Sequence, residues 1–469
     1  MEKIFQNLGQ YSKEKALVSS ENKSVTYKEI LDLSEELVAD FKTKEIILIN
    51  CSYSINLIAT YLGCLNKGIV PILVQEDIDS DGLKLLSDLY NVRYIYSERQ
   101  INLRSFKSSD DKENIYINEK KSTNGALNKD LALLIATSGS TGNPKLVRIS
   151  HQNIISNANS IISYLGITSR DIQITTLPMN YTFGLSIVHT ILLSGGTLIL
   201  NNHSLLEKGF WNLFEKHKPT FISGVPYTFN ILKKLRIFSK DLKNLRAFTQ
   251  AGGALEDSEV KFFSSESAKR GIDFFVMYGQ TEATARMSYL PPNNAESKSR
   301  SIGIAIPNGK FLLKNDDGDT IKDPLVEGNI FYKGPNVTLG YANKFSDLNL
   351  GDDNKGILDT GDIGYFDEEN YFYITGRKKR FIKLFGIRVN LDDVQKFISS
   401  EYINCAASGS DDSLIIYLEG KNISHDNDQI KKTLSRHLKI NQSAITIKYV
   451  DKIPRSSSGK IMYTKLKEI

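Results

Sequence analysis

An apolar run over residues 131–136 leads straight into Thr137-Ser-Gly-Ser-Thr-Gly-Asn-Pro-Lys145. The run reads as a buried strand. Hydroxyl side chains (Thr137, Ser138, Ser140, Thr141) and two glycines, Gly139 and Gly142, follow it. Such a segment can turn its backbone N–H groups and hydroxyls toward an anion, because glycine allows close approach. Lys145 ends the loop with a fixed positive charge. A flexible polar turn has a similar composition, but the position behind a buried strand and the Pro-Lys ending favour a phosphate-binding loop. It is not a Walker loop, since Pro144 stands where that pattern needs glycine.

The surrounding chain alternates strand and helix. Residues 24–41 read as an amphipathic helix with Thr26 as N-cap and Glu29 three residues on. Residues 45–50 and 69–74 read as strands flanking an apolar helix at 57–65. This alternation predicts an α/β layered domain. Residues 97–130 are charged and poor in apolar side chains, and predict a loosely packed connection. Further on, residues 394–400 and 428–438 read as helices, and 413–418 and 445–450 as strands, of a small α+β domain.

At 469 residues the chain is too long for one ordinary core. Its net charge of +5 demands no nucleic-acid partner. The three cysteines, Cys51, Cys64 and Cys405, are far apart and form no Cys-x-x-Cys pair, and the six histidines are scattered, so neither a disulfide framework nor a zinc site is expected. No run reaches the length of a membrane span, and the first residues show no basic-then-apolar signal pattern. A soluble cytoplasmic protein is expected.

Three further segments carry chemistry. Phe274-Phe-Val-Met-Tyr-Gly-Gln-Thr-Glu282 delivers Tyr278, whose ring can stack on a purine, then Gly279, Thr281 and Glu282, a carboxylate suited to Mg²⁺ beside phosphates. In Leu358-Asp-Thr-Gly-Asp-Ile-Gly364, Asp362 can accept hydrogen bonds from a cis-diol, or it can simply belong to a Gly-rich turn. Lys460 lies in Ile453-Pro-Arg-Ser-Ser-Ser-Gly-Lys460, a Ser/Gly loop from which a lysine can reach a distant cleft. His151, at the start of a helix, reads as structural rather than as a base.

Together these segments, in this order, resemble the acyl-adenylate-forming (AMP-binding) superfamily over nearly the whole chain. The resemblance implies a large multi-layer N-terminal domain, residues 1–376, a hinge at 377–380, and a small mobile α+β domain, 381–469. It implies an AMP-forming ligase of the acyl-CoA or acyl-carrier-protein synthetase type. Such an enzyme activates a carboxylic acid with MgATP to acyl-AMP and pyrophosphate, then transfers the acyl group to a thiol of CoA or of carrier-protein phosphopantetheine. By the same resemblance Lys145 and residues 137–142 face the β,γ-phosphates, Glu282 holds Mg²⁺ and Thr281 stands beside it. Tyr278, Gly279, Gly252 and Gly253 border adenine, and Asp362 and Arg377 hold ribose. Lys460 bridges carboxylate and α-phosphate, Lys379 is the hinge, and Lys383 and Gly386 serve the thioester step.

The acyl pocket is expected among Tyr181, Phe183, Ser223, Gln250, Ala251, Gly253, Met277 and Met287. No acidic residue lies between Thr175 and Leu206, which speaks against an α-amino acid, because a buried ammonium needs a partner. A stand-alone amino-acid-activating domain nevertheless stays open. So does a catalytically silent nucleotide-binding scaffold, since Leu146 and Asn329 depart from the family's usual Gly and Glu. Neither the acid nor the choice between CoA and a carrier protein is legible.

Overall fold

The computed structural model describes residues 4–109, 112–123, 126–136, 145–384, 387–399, 404–410, 413–420, 427–438, 440–455 and 461–467. By compactness the chain falls into two units, residues 1–311 with 332–358, and residues 312–331 with 359–469.

The first unit is built on two large sheets. One has eight strands, in the order Gly340–Ala342, Leu146–Ser150, Leu131–Ala136, Val70–Gln75, Ile46–Cys51, Tyr94–Tyr96, Ile115–Ile117 and Lys107–Ser108. The other has nine, with the parallel neighbours Phe221–Gly224, Ala247–Gln250 and Asp273–Tyr278 near its middle. Both sheets bury both faces, as parallel sheets do. Alternation along the strands divides their side chains between two cores. Ile47 and Ile49 enter a shared core with the helices Ile55–Lys67, His151–Leu165 and Thr182–Leu193, while Ile46 and Leu48 pack on the opposite face. In the second sheet Phe221, Ala247 and Phe275 join that same shared core, and Ile222, Phe248 and Phe274 face away from it. A helical layer thus lies between the two sheets.

Local chemistry sets the element ends. The first helix runs Tyr27–Leu37; Thr26 Oγ1 accepts from the Glu29 N–H, and Glu29 accepts from the Thr26 N–H at 2.7 Å. The next helix, Ile55–Lys67, is capped by Ser54 and stopped by Gly68 at φ 79°. One expectation fails: residues 97–130 are not merely a connection. They supply the strands Lys107–Ser108 and Ile115–Ile117 to the sheet edge and bury Phe106, Ile115 and Leu127. A few isolated apolar side chains suffice there, because an edge strand needs only one covered face.

The second unit holds most of a four-stranded sheet, in the order Lys310–Lys314, Gly328–Lys333, Ile357–Phe366 and Phe372–Arg377. It also holds the hairpin Phe381–Leu384 with Ile387–Asn390. A three-stranded sheet, Cys405–Ser410, Ser413–Glu419 and Ile445–Val450, packs with the helices Leu391–Ser399 and Asn427–Leu438. The small α+β pattern read from the sequence is present. Among the described residues no helix is long and apolar enough to cross a membrane.

Candidate active site

Residues 137–142 lie outside the described residues, as do Gly386 and Lys460. The strand Leu131–Ala136 and the returning strand Leu146–Ser150 pair antiparallel, so Ala136 and Leu146, on either side of the Ser/Thr/Gly segment, are Cα partners. Leu146 is fully buried, and its Cα partners on either side are the small residues Ala136 and Ala342. Its side chain belongs to the core of the sheet, which accounts for its apolar character.

Lys145, at the loop's exit, places its ammonium 3.3 Å from the centroid of the Tyr341 ring. The Tyr341 hydroxyl donates to Glu282 Oε1 at 2.6 Å. Tyr341 therefore joins a cation 196 residues away in sequence to a carboxylate 59 residues away. Tyr341 lies on the strand Gly340–Ala342, registered against Val147 on the strand leaving the loop. Burial, and then the Glu282 charge, push its hydroxyl pKa well above the ordinary tyrosine value, so it stays a donor. The Glu282 carbonyl is held by both the N–H and the hydroxyl of Thr338, each at 3.0 Å. With one carboxylate oxygen engaged by Tyr341, the other is a hard oxygen donor on a half-buried turn. This suits Mg²⁺, which is commonly bound by one or two carboxylates together with phosphate oxygens. Among the described residues no group of three or more His, Cys, Asp or Glu side chains forms a protein-only metal cage.

The ends of the parallel strands supply the rest. Register places Ser223 beside Thr249, and Gly224 beside Gln250 and, one strand on, Val276. Ligands bind at such carboxyl ends in open α/β sheets. Tyr278 ends the strand Asp273–Tyr278, and its hydroxyl accepts from Gln280 Nε2 at 3.2 Å. The short turn Thr281–Ala283 follows. Gly279 is sterically required: a Cβ there would lie 1.7 Å from the Ala285 carbonyl oxygen. Gly252 is required twice over, by φ 84° and by the Tyr181 hydroxyl, 2.4 Å from where its Cβ would be. At Gly253 a Cβ would meet Pro226 at 3.2 Å. Tyr181 is the N-cap of the helix Thr182–Leu193, so Phe183 lies in the helix's first turn.

Ser223 and Thr249 share a 2.7 Å hydrogen bond, and Gln173 Nε2 donates to Ser223 at 2.7 Å. Gln250 Nε2 donates to the Gly253 carbonyl, and Ala251 is buried behind it. Tyr164 donates to the Met277 sulfur at 2.9 Å, and Met287 is fully buried. Sequence reasoning missed Tyr341 and the buried Arg286, which follows Glu282 by four residues. The signal for Arg286 was a charge opening the otherwise apolar run Met287-Ser-Tyr-Leu290.

In the second unit Asp362 and Arg377 are Cα partners on adjacent strands, and Arg377 Nε meets Asp362 Oδ1 at 2.8 Å. Asp362 is thus a buried strand residue rather than part of a turn, and the two residues expected to hold ribose sit on one hairpin. The basic run behind them is engaged locally. Lys378 pairs with Asp359, and Arg380 pairs with Asp392 while its guanidinium covers the Tyr463 ring at 4.0 Å. Lys379 lies on the turn Lys378–Arg380 and Lys383 on the strand Phe381–Leu384. Asn329, in place of the usual Glu, donates to Asp316 at 3.1 Å.

Comparisons with known proteins show what the chain as a whole is similar to. Indoleacetate–CoA ligase of Aromatoleum aromaticum is 27% identical over 342 residues, 70% of this chain and 65% of that one. A luciferin 4-monooxygenase of Nipponoluciola cruciata is 27% identical over 363 residues, 73% of this chain and 64% of that one. The matches therefore span just under two-thirds of these relatives' length. The o-succinylbenzoate CoA synthetase of Bacillus subtilis, solved with its acyl-adenylate intermediate, superposes with a TM-score of 0.80 at 21% identity, over 100% of this chain and 98% of that one, and so shares the fold. The family model described as AMP-binding enzyme matches residues 4–342, and the chain belongs to that family.

Proposed function

We propose that this protein activates a carboxylic acid with MgATP and then transfers the acyl group to a thiol. In the first step a carboxylate oxygen bonds to the α-phosphorus. The bond from that phosphorus to the bridging oxygen breaks, and pyrophosphate leaves. In the second step the sulfur of CoA, or of a carrier protein's phosphopantetheine, bonds to the acyl carbon and AMP leaves. Neither step needs an enzyme nucleophile. Both need positioning and neutralised negative charge.

The observation that carries this reading is the Lys145–Tyr341–Glu282 chain of contacts. It brings a loop-end cation and a free carboxylate oxygen to one place, which is what a polyphosphate with its Mg²⁺ requires. Bound there, Mg²⁺ would neutralise phosphate charge; the protein's part is to hold Glu282 in place through Tyr341 and Thr338. Residues 137–142 and Lys145 then face the β,γ-phosphates, with Thr281 beside the metal. Tyr278, Gly279, Gly252 and Gly253 form the adenine wall. Asp362 and Arg377 take the ribose hydroxyls. Lys460 bridges the carboxylate and the α-phosphate. Lys379 acts as a hinge between two arrangements of the C-terminal part, residues 381–469, one serving each step, with Lys383 and Gly386 serving the second.

The test is pyrophosphate release from MgATP against short, long, aryl, hydroxy and amino acids. Turnover with one class, lowered by orders of magnitude in Lys460→Ala, supports the reading. ATP binding with silence across the panel overturns it. Lys379→Pro should block thioester formation while sparing pyrophosphate release; equal loss of both removes the hinge.

A further inference from the structure

Arg286 is 3% exposed. Its guanidinium lies over the Phe183 ring, 3.8 Å from the centroid. Nη1 donates to the adjacent Ala285 carbonyl at 3.2 Å, the guanidinium is hydrogen-bonded to the Tyr164 hydroxyl, and Tyr181 is its other polar neighbour. Among the described residues no carboxylate pairs with it, and its Nε has no hydrogen-bond partner. Burial also lowers its pKa below the ordinary value, against its two tyrosine neighbours. A buried cation with no counter-charge beside it is strongly unfavourable. The backbone leading to it is strained as well: Thr284 and Ala285 both hold left-handed torsions, φ 61° and 141°. Strain of this kind is kept where the surroundings enforce it, often at binding sites.

The side chain lines a small cavity of about 20 Å³ with Phe183, Ser223 and Met277, three of the residues expected to form the acyl pocket, and with Gln173 and Thr249. Its walls combine apolar side chains such as Ile161, Ile167 and Ile187 with hydroxyls, the Gln173 amide and the Arg286 charge.

We infer that the acid carries a second anionic group, and that Arg286 receives it at the closed end of the acyl pocket. The inference rests on the carboxylate-activating reading. The substrate class is a short dicarboxylic acid, whose far carboxylate supplies the partner that the protein leaves out. An apolar tail would leave the Arg286 charge without a counter-charge, and an α-ammonium would meet a cation.

The test compares pyrophosphate release for matched pairs: malonate against propionate, succinate against butyrate, glutarate against pentanoate. The dicarboxylic member of one pair should be preferred by about 100-fold or more, as sites with buried polar groups reject partners that leave them unpaired. Arg286→Leu should abolish the preference and Arg286→Lys should keep part of it. If the leucine variant fails to fold, the lysine variant and the wild-type pairs still decide. A monocarboxylic acid that equals its dicarboxylic counterpart overturns the inference while leaving the ligase reading intact. Turnover only with long, aryl, hydroxy or amino acids of the wider panel also overturns the inference and leaves the ligase reading intact; silence across that whole panel overturns both.

Discussion

The Tyr341 hydroxyl donates to Glu282 Oε1 at 2.6 Å, and the face of the same ring carries the Lys145 ammonium. One aromatic side chain thus orients an anion through its edge and a cation through its π-face. Removing each half separately distinguishes the two roles. Tyr341→Phe keeps the ring and loses the hydrogen bond, which to a charged acceptor contributes about 1.5–3 kcal/mol. We expect kcat/KM for MgATP to fall by about 10-fold. Tyr341→Ala should fall further, because Lys145 loses its platform. Steady-state pyrophosphate release as a function of MgATP measures both; equal activity in wild type and Tyr341→Phe would remove the positioning role.

Gly279→Ala tests the turn that presents Glu282. The added methyl would lie 1.7 Å from a backbone oxygen, which cannot rotate aside as a side chain could. The segment 279–285 must move, and Glu282 with it. We expect activity to drop by about 100-fold or more and stability to fall by about 2 kcal/mol or more, in the range of severe backbone and overpacking defects. Gly252→Ala, which meets the Tyr181 hydroxyl, should be milder, because that side chain can turn away. Denaturant midpoints and initial rates for the two variants give the order.

Much of this arrangement was legible in the sequence, where the signal was local. The strand read at 45–50 and the helix read at 57–65, found at 46–51 and 55–67, the strand 131–136, the Thr26–Glu29 cap, and the cluster at 278–282 each depend on neighbours a few residues away. Tyr341 was not legible as a site residue, since its two partners reach it only through sheet pairing. Arg286 was missed because one arginine in an apolar stretch does not reveal that no carboxylate faces it. The last two strands of the sheet, 115–117 and 107–108, were missed because they carry too few apolar residues to show a period.

Arg148 is fully buried and holds five acceptors: the carbonyls of Leu339, Tyr341, Leu350 and Gly351, and Asp353 Oδ2. It fixes the strand that carries Tyr341 against the strand leaving the loop. Arg148→Met would leave those carbonyls unpaired and should destabilise the protein by about 3 kcal/mol or more. Arg148→Lys keeps the charge but lacks the fork of donors, and should recover only part of the loss. Chemical denaturation reads the stability. A rise in KM for MgATP in the lysine variant, under conditions where it is fully folded, separates positioning of Tyr341 from bulk stability.

His189 predicts the acid limb of stability. It is buried on the helix Thr182–Leu193, with Nε2 2.8 Å from the Tyr61 hydroxyl, and burial lowers its pKa to about 3. The unfolded chain takes up a proton near the ordinary value of about 6.5, whereas the folded chain refuses it until about pH 3. The stability contributed by the neutral ring is therefore complete above pH 6.5 and declines as pH falls through that window. The slope is about 1.4 kcal/mol per pH unit. His189→Gln keeps a polar partner for Tyr61 and cannot titrate. Its unfolding free energy should fall less steeply than that of the wild type between pH 6.5 and pH 5, by about that slope. Urea unfolding at three or four pH values in this window measures the difference, and parallel curves for the two proteins would show that His189 takes up its proton equally in both states.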